Sequence, residues 1–120
     1  MEDPASLREF LARHRAVLVI LSGAARGMEL ELDRARITFG RGPGVDFAFE
    51  DATMSREHAA LEFVGSGFRI RDLASNNGTQ VNDANIAMLD LKGGEHITAG
   101  DHIFQFQVDS RPGPQTSQPG

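Results

Sequence analysis

The chain contains no cysteine, no basic leader and no long apolar run. The absence of cysteine excludes disulfides and cysteine-based metal sites, and it agrees with a reducing compartment. The first residues, Met1-Glu2-Asp3-Pro4, are acidic, whereas a secretory signal begins with basic residues. The longest apolar run, 16–21, is too short to cross a bilayer. We therefore predict a cytoplasmic protein of one domain that has no membrane partner.

Positive charge is also scarce. The 12 lysine and arginine residues are outnumbered by 17 aspartate and glutamate residues, which gives a formal net charge of -5. A general nucleic-acid-binding protein is expected to carry a basic stripe that displaces counterions from the phosphates. The composition therefore argues against nucleic acid as a partner. It does not argue against binding one phosphate group, because that needs only a local pocket of donors.

Signals of catalysis and of metal binding are missing as well. The four histidines, at positions 14, 58, 96 and 102, lack the spacing of metal ligands, so we predict no metal and no cofactor. Ser55 and His58 could be a nucleophile and its base, but no nucleophile elbow or orienting carboxylate accompanies them. The segment 40–44 lacks the Gly-Lys-Ser/Thr ending of a P-loop. We predict that the protein is not an enzyme.

Both ends of the chain differ in pattern from the middle. Residues 1–15 predict a short helix, because Pro4 suits a first helical position and Leu7, Phe10 and Leu11 fall on one face. This helix could be a linker, could pack on the domain, or could dock a partner. Residues 110–120 are rich in proline, glycine and serine without a bulky apolar residue, which predicts a disordered tail.

The middle of the chain, 16–109, alternates apolar and polar residues with a period of two. The pattern is clear at 28–33, 59–63, 68–72 and 104–108, and Gly65-Ser66-Gly67 is typical of a hairpin turn. Many short strands without a long helix among them predict an antiparallel β-sandwich. A parallel α/β fold would need crossover helices, which this sequence does not contain.

Three polar, glycine-containing stretches interrupt the strands, at 40–45, 51–58 and 74–82. Arg41 offers a planar fork of donors that matches phosphate oxygens, and the hydroxyl of Ser55 can donate to one. An asparagine such as Asn77 can pair with a peptide backbone in both directions. Each stretch alone is as readily a solvated arginine or an ordinary turn. Together these side chains would supply donors for a phosphate and for a peptide backbone, if the fold brings the three stretches to one place.

The same stretches resemble the signature of the forkhead-associated (FHA) domain family, over about residues 16–108. The resemblance rests on Gly40-Arg41, Ser55-x-x-His58 and Asn77-Gly78-Thr79-x-Val81-Asn82. It extends to Asp72-Leu73 and to Gly93-Gly94-Glu95 followed by Gly100-Asp101, although Glu95 stands where the family more often has aspartate.

The resemblance implies an all-β sandwich of two twisted antiparallel sheets (FHA/SMAD-like), preceded here by a short N-terminal helix. It implies a non-catalytic module that binds phosphothreonine peptides, acts as an adaptor in Ser/Thr kinase signalling, and has kinase substrates or a kinase as partners. By similarity, the phosphopeptide would be held by Arg41, Ser55, Arg56, Asn76 and Asn77. Asn76 stands where the family often has threonine or serine. The residues that support the site would be Gly40, His58, Gly78, Thr79 and Asn82.

Two further hypotheses follow from the sequence. An FHA-fold domain can bind partners independently of phosphorylation, through another face or through the N-terminal helix. Thr116, in the predicted tail, would be accessible to a kinase and, once phosphorylated, could occupy the protein's own site.

Overall fold

The computed structural model describes residues 4–111, so the predicted tail beyond Arg111, with Thr116, lies outside the described residues. One helix precedes eleven strands in this part of the chain. Their bounds are α1 Pro4–Arg13, β1 His14–Ile20, β2 Glu29–Glu31, β3 Arg36–Gly40, β4 Phe47–Ala48, β5 Ala59–Phe63, β6 Phe68–Asp72, β7 Thr79–Val81, β8 Ala84–Ile86, β9 Met88–Asp90, β10 His96–Ala99 and β11 His102–Ser110.

The strands form two sheets, which confirms the predicted sandwich. One sheet has the order β2-β1-β11-β10-β7-β8 and the other β4-β3-β5-β6-β9. The strand pairs within residues 4–111 are antiparallel except β3 with β4, a two-residue parallel contact. The first and last strands are neighbours, with His14 opposite Ser110. β1 begins at His14, slightly before the predicted start at 16, because its pairing with β11 continues to that residue.

The core lies between the two sheets and follows the alternation in the sequence. Phe104 and Phe106 of β11 are fully buried, whereas Gln105 and Gln107 face outward. The hairpin at 65–67 is confirmed, since β5 and β6 pair with Phe63 opposite Phe68. Met28 is an exception, because it is 54% exposed although it continues the alternating pattern. It precedes β2, which is an edge strand of its sheet.

The helix packs on one end of the sandwich, which we call the helix end. The ring of Phe10 lies 5.3 Å from that of Phe63 and 5.9 Å from that of Phe68, measured between centroids. Arg111 fastens the last strand to the same place, because its Nε donates to the backbone oxygens of Leu11 and His14. No helix within residues 4–111 is long and apolar enough to span a membrane.

Candidate functional site

Three loops meet at the opposite end of the sandwich, the loop end. They are the arginine loop (41–46, between β3 and β4), the serine loop (49–58, between β4 and β5) and the asparagine loop (73–78, between β6 and β7). They meet because β5 pairs with both β3 and β6, with Ala59 opposite Phe39 on one side and opposite Asp72 on the other. The three stretches predicted from the sequence are therefore brought together.

The arginine and serine loops are joined through their backbones. The N–H of Arg41 donates to the carbonyl of Ser55 over 2.9 Å, and the N–H of Gly42 to that of Arg56 over 3.2 Å. The approach is so close that a Cβ at Gly40 would stand 2.1 Å from the Arg56 carbonyl oxygen. Only glycine fits there, which supports the predicted structural role of Gly40.

Arg41 is exposed, and one of its donors holds the serine loop. Its Nε donates to the carbonyl oxygen of Met54 over 3.1 Å. Its terminal guanidinium nitrogens have no partner among the described residues. The Arg56 side chain is likewise exposed, with its Cβ beside Gly42. Two cationic side chains therefore stand at one side of the loop end with donors available to an anion.

Ser55 is linked to the asparagine loop in a way that leaves its own proton unused. Its Oγ accepts the backbone N–H of Asn76 over 2.9 Å. A hydroxyl that accepts one hydrogen bond can still donate another. In this structure the main chain of Asn76 is thus what contacts Ser55. The exposed side chain of Asn76 has no hydrogen-bond partner in the described part of the chain.

Asn77 extends across the serine loop from the other side. Its Nδ2 donates to the carbonyl oxygen of Thr53 over 2.7 Å. One amide hydrogen is thereby committed, whereas the second hydrogen and the Oδ1 acceptor have no partner within residues 4–111. The side chain is exposed and can offer one donor and one acceptor to a passing peptide backbone.

His58 is fully buried and connects two of the loops. Its Nδ1 accepts the backbone N–H of Ser55 over 3.0 Å, and its Nε2 lies 2.9 Å from the carbonyl oxygen of Gly78. In the neutral ring, Nε2 therefore carries the proton and donates it. Neither nitrogen contacts the Ser55 hydroxyl, so the pair is not arranged as base and nucleophile. The ring also stacks on Phe39, with centroids 6.2 Å apart.

Asp72 organises the asparagine loop, a role that the sequence analysis did not assign. Its Oδ1 accepts the hydroxyls of Ser75 and Thr79, and the Ser75 oxygen in turn accepts the N–H of Gly78 over 3.0 Å. Burial raises the pKa of Asp72, but the hydrogen bonds from Ser75 and Thr79 outweigh it, so the pKa lies below its usual value. The sequence signal was an aspartate at a strand end with serine three residues later.

Asn82 lies away from the loop end, at the far end of β7. With Asp83 it forms the two-residue hairpin to β8, and both have positive φ, 50° and 72°. Its Oδ1 accepts the backbone N–H of His96 over 3.0 Å, which ties the hairpin to β10. Asn82 therefore fixes the β7–β8 hairpin at a distance from the three loops, and its support of the site stays a prediction.

Asp51 fastens the serine loop to the turn between β10 and β11, another contact that sequence reasoning missed. Its side chain is 3% exposed. Its Oδ1 accepts the Thr53 backbone N–H, and its Oδ2 accepts the Asp101 backbone N–H and lies 2.7 Å from Nδ1 of His102. Burial raises the pKa of Asp51, but the hydrogen bonds from Thr53, His102 and Asp101 together outweigh burial and lower the pKa to about 2.

We expect Asp51→Asn to lower the free energy of unfolding by roughly 2 kcal/mol at pH 7. Because the pKa in the folded state, about 2, lies below the usual 3.8, the ionised carboxylate stabilises the fold at neutral pH. That contribution is lost as the pH falls from about 5 toward 2. Urea unfolding at pH 7, 5 and 3 should show a smaller loss of stability on acidification for the variant than for wild type. Parallel pH curves would contradict the role given to Asp51.

Comparisons with known proteins give three kinds of match. Residues 19–110 match the family model described as the cytoplasmic domain of the inner membrane component of T3SS. The chain is 30% identical over 119 residues to the glycogen accumulation regulator GarA of Mycobacterium tuberculosis, covering 99% of this chain and 74% of that protein. It is 32% identical over 101 residues to the transcriptional regulatory protein EmbR of the same species, covering 83% of this chain and 26% of EmbR.

Solved structures match over most of the sandwich. A structure from a study of phosphothreonine-dependent FHA-domain interactions superposes with a TM-score of 0.71 at 28% identity, covering 78% of this chain and 95% of that one. EmbR in complex with a low-affinity phosphopeptide superposes with a TM-score of 0.74 at 32% identity, over 82% of this chain and 25% of EmbR. The FHA domain of FhaA, complexed with the intracellular domain of Rv3910, gives 0.70 at 28% identity, over 77% and 99%.

Proposed function

Because the chain belongs to the forkhead-associated (FHA) domain family, we propose that it is a non-catalytic module that binds phosphothreonine peptides and acts as an adaptor in Ser/Thr kinase signalling. Its partners would be phosphorylated kinase substrates or a kinase, and its place of action the cytoplasm. The binding unit would be residues 16–109, with 1–15 as an extension. Two of the similar structures are described as complexes, one with a phosphopeptide and one with an intracellular domain.

One observation carries the proposal: the available donors of Arg41 and Ser55 lie on adjoining loops beside Asn77. Arg41 and Asn77 both donate to backbone oxygens of the serine loop, at Met54 and Thr53, the two residues that precede Ser55 and its hydroxyl. A phosphate at this place would meet a guanidinium fork and a hydroxyl, and the attached main chain would meet an amide.

The expected strength of this site follows from the number of donors. Phosphothreonine carries about -1.5 to -2 charges near neutral pH and three acceptor oxygens. Three or four charge-assisted hydrogen bonds at about 1.5–3 kcal/mol each would contribute roughly 5–12 kcal/mol. Loss of translational freedom and ordering of the peptide oppose this by several kcal/mol. Binding would be modest and reversible, as a signal erased by a phosphatase requires.

A geometric observation supports the proposal of a non-catalytic module. Both nitrogens of His58 are used by backbone groups of the loops, so no base lies on the Ser55 hydroxyl. That hydroxyl instead accepts an N–H from Asn76, which leaves its own proton free to be donated. Within residues 4–111 no cluster of three or more histidine, cysteine or acidic residues could hold a metal ion.

Paired peptides test the proposed function. A degenerate library centred on phosphothreonine would first select a binding sequence. That sequence would then be titrated in its threonine, phosphoserine and phosphothreonine forms by isothermal calorimetry. We expect the unphosphorylated peptide to bind at least about tenfold more weakly, because it lacks every charge-assisted contact. Equal affinity for the phosphorylated and unphosphorylated forms would overturn the proposal.

A further inference from the structure

A cleft of about 310 Å³ adjoins the serine and asparagine loops but is not used by the phosphate contacts described above. It opens on the outer side of the larger sheet, where Gln80 of β7 pairs with Thr98 of β10. Its walls include these two residues, Thr53 of the serine loop, Asn77 of the asparagine loop and Asp101 of the turn between β10 and β11. The residue proposed to hold the peptide main chain, Asn77, therefore also borders the cleft.

Among the residues that line this cleft, only Asp101 has a charged side chain. Asp101 is exposed, and only its backbone is engaged, with the N–H donating to Asp51 and the carbonyl accepting from Ser22. Its carboxylate has no hydrogen bond or ion pair among the described residues. The other lining side chains are neutral hydroxyls and amides, and no lysine or arginine lies among them. A carboxylate that has no cation near it, and that lies beside neutral hydrogen-bond acceptors, attracts a cationic group.

The cleft and the phosphate donors lie at different points along the serine loop. Asp101 meets this loop at Asp51, Asn77 meets it at Thr53, and Asn76 meets it at Ser55. The four residue steps from position 51 to 55 span at most about 14 Å. An extended peptide advances about 3.3 Å per residue, so four of its residues cover the same distance.

We propose that the cleft binds a lysine or arginine side chain of the partner, placed within four residues of the phosphothreonine, with Asp101 as its counter-ion. This rests on the proposed function, because the phosphothreonine sets where the peptide lies. The recognised sequence then combines an anion at the arginine side of the site and a cation at the cleft. Each charge meets a group of opposite sign, and a peptide laid in reverse with its phosphate at the same place would lose the pairing at the cleft.

A lysine scan tests the assignment. Phosphothreonine peptides with an otherwise alanine-rich flank would carry one lysine at each of the four positions on either side. Binding of each to wild type, Asp101→Asn and Asp109→Asn would be measured by fluorescence anisotropy. Asp109, an exposed residue at the helix end of β11, is the matched control because its substitution changes the net charge equally. The unphosphorylated form of each peptide would be measured alongside.

We expect at least one lysine position to bind wild type about two- to fivefold more tightly than alanine, the size of a partly exposed ion pair. The gain should vanish in Asp101→Asn and persist in Asp109→Asn. The proposal is overturned if the gain in affinity from lysine survives Asp101→Asn, or if lysine gives no gain at any position. In either case, binding that still depends on the phosphate leaves the proposed function standing. If no peptide distinguishes phosphothreonine from threonine, the proposed function fails and the cleft assignment fails with it.

Discussion

Replacing Arg41 with alanine is expected to weaken phosphothreonine-peptide binding at least about a hundredfold while changing the free energy of unfolding by no more than about 1 kcal/mol. The Arg41 side chain is exposed, and its one hydrogen bond within the described residues runs from Nε to the Met54 carbonyl oxygen. Two charge-assisted hydrogen bonds to a phosphate are worth about 3 kcal/mol or more, which corresponds to a hundredfold in affinity.

The matched control for this prediction is Arg36→Ala. Arg36 is also exposed and begins the same strand, β3, at the helix end, where it forms a 3.5 Å ion pair with Glu62. Its removal takes away one positive charge far from the loops and should leave affinity within about twofold, since exposed pairs contribute little. Calorimetric titration and urea unfolding of both variants decide the matter. An Arg41→Ala protein that binds like wild type would remove Arg41 from the site, and one that unfolds would make its role structural.

The second large effect is expected at His58, where alanine should cost about 3 kcal/mol of stability. The substitution leaves the N–H of Ser55 and the carbonyl of Gly78 without their partner, at about 1–3 kcal/mol for each buried group. It also opens a cavity against Phe39, on which the ring stacks. Phosphopeptide affinity should fall as well, because the serine and asparagine loops would no longer be held at their present separation.

His96→Ala is the control for His58→Ala, since His96 is an exposed histidine on β10 whose side chain makes no bond in the described structure. Denaturant unfolding should place it within about 0.5 kcal/mol of wild type. Peptide binding measured at a temperature where His58→Ala remains folded separates loop geometry from global stability. If His58→Ala is as stable as His96→Ala, the buried bridge between the loops is not what holds them together.

The sandwich could be predicted because its strands alternate so regularly. In β11, Phe104 and Phe106 alternate with Gln105 and Gln107. The two phenylalanines are buried, whereas the two glutamines are partly exposed. The loops of the candidate site could be predicted because Gly40, Arg41, Ser55 and Asn77 occur in family order. The alternating pattern and the family signature were thus enough to identify the three loops in the sequence. The pairing of the strands then explains why these loops meet.

The contacts that fix those loops could not be predicted in the same way. Asp51 and His102 are 51 positions apart and touch only because β10 and β11 return to the loop end. The sequence shows both residues but not their proximity. Asn76 illustrates a second limit, since the sequence gives no sign that its backbone N–H donates to the Ser55 hydroxyl oxygen. Its contact with the phosphopeptide stays a prediction. The cleft beside Asp101 combines three separate segments of the chain and has no linear signature.

The attachment of Arg111 sets the reach of whatever follows it in the chain. This residue is bound to the backbone of Leu11 and His14 at the helix end, while the site lies beyond the far end of β11. The nine residues of β11 cover about 27 Å. Thr116 follows Arg111 by five positions, which span at most about 18 Å. That tether is too short for Thr116 to enter its own molecule's site. A phosphate on it could be captured only by a second molecule, and the exchange would therefore depend on protein concentration.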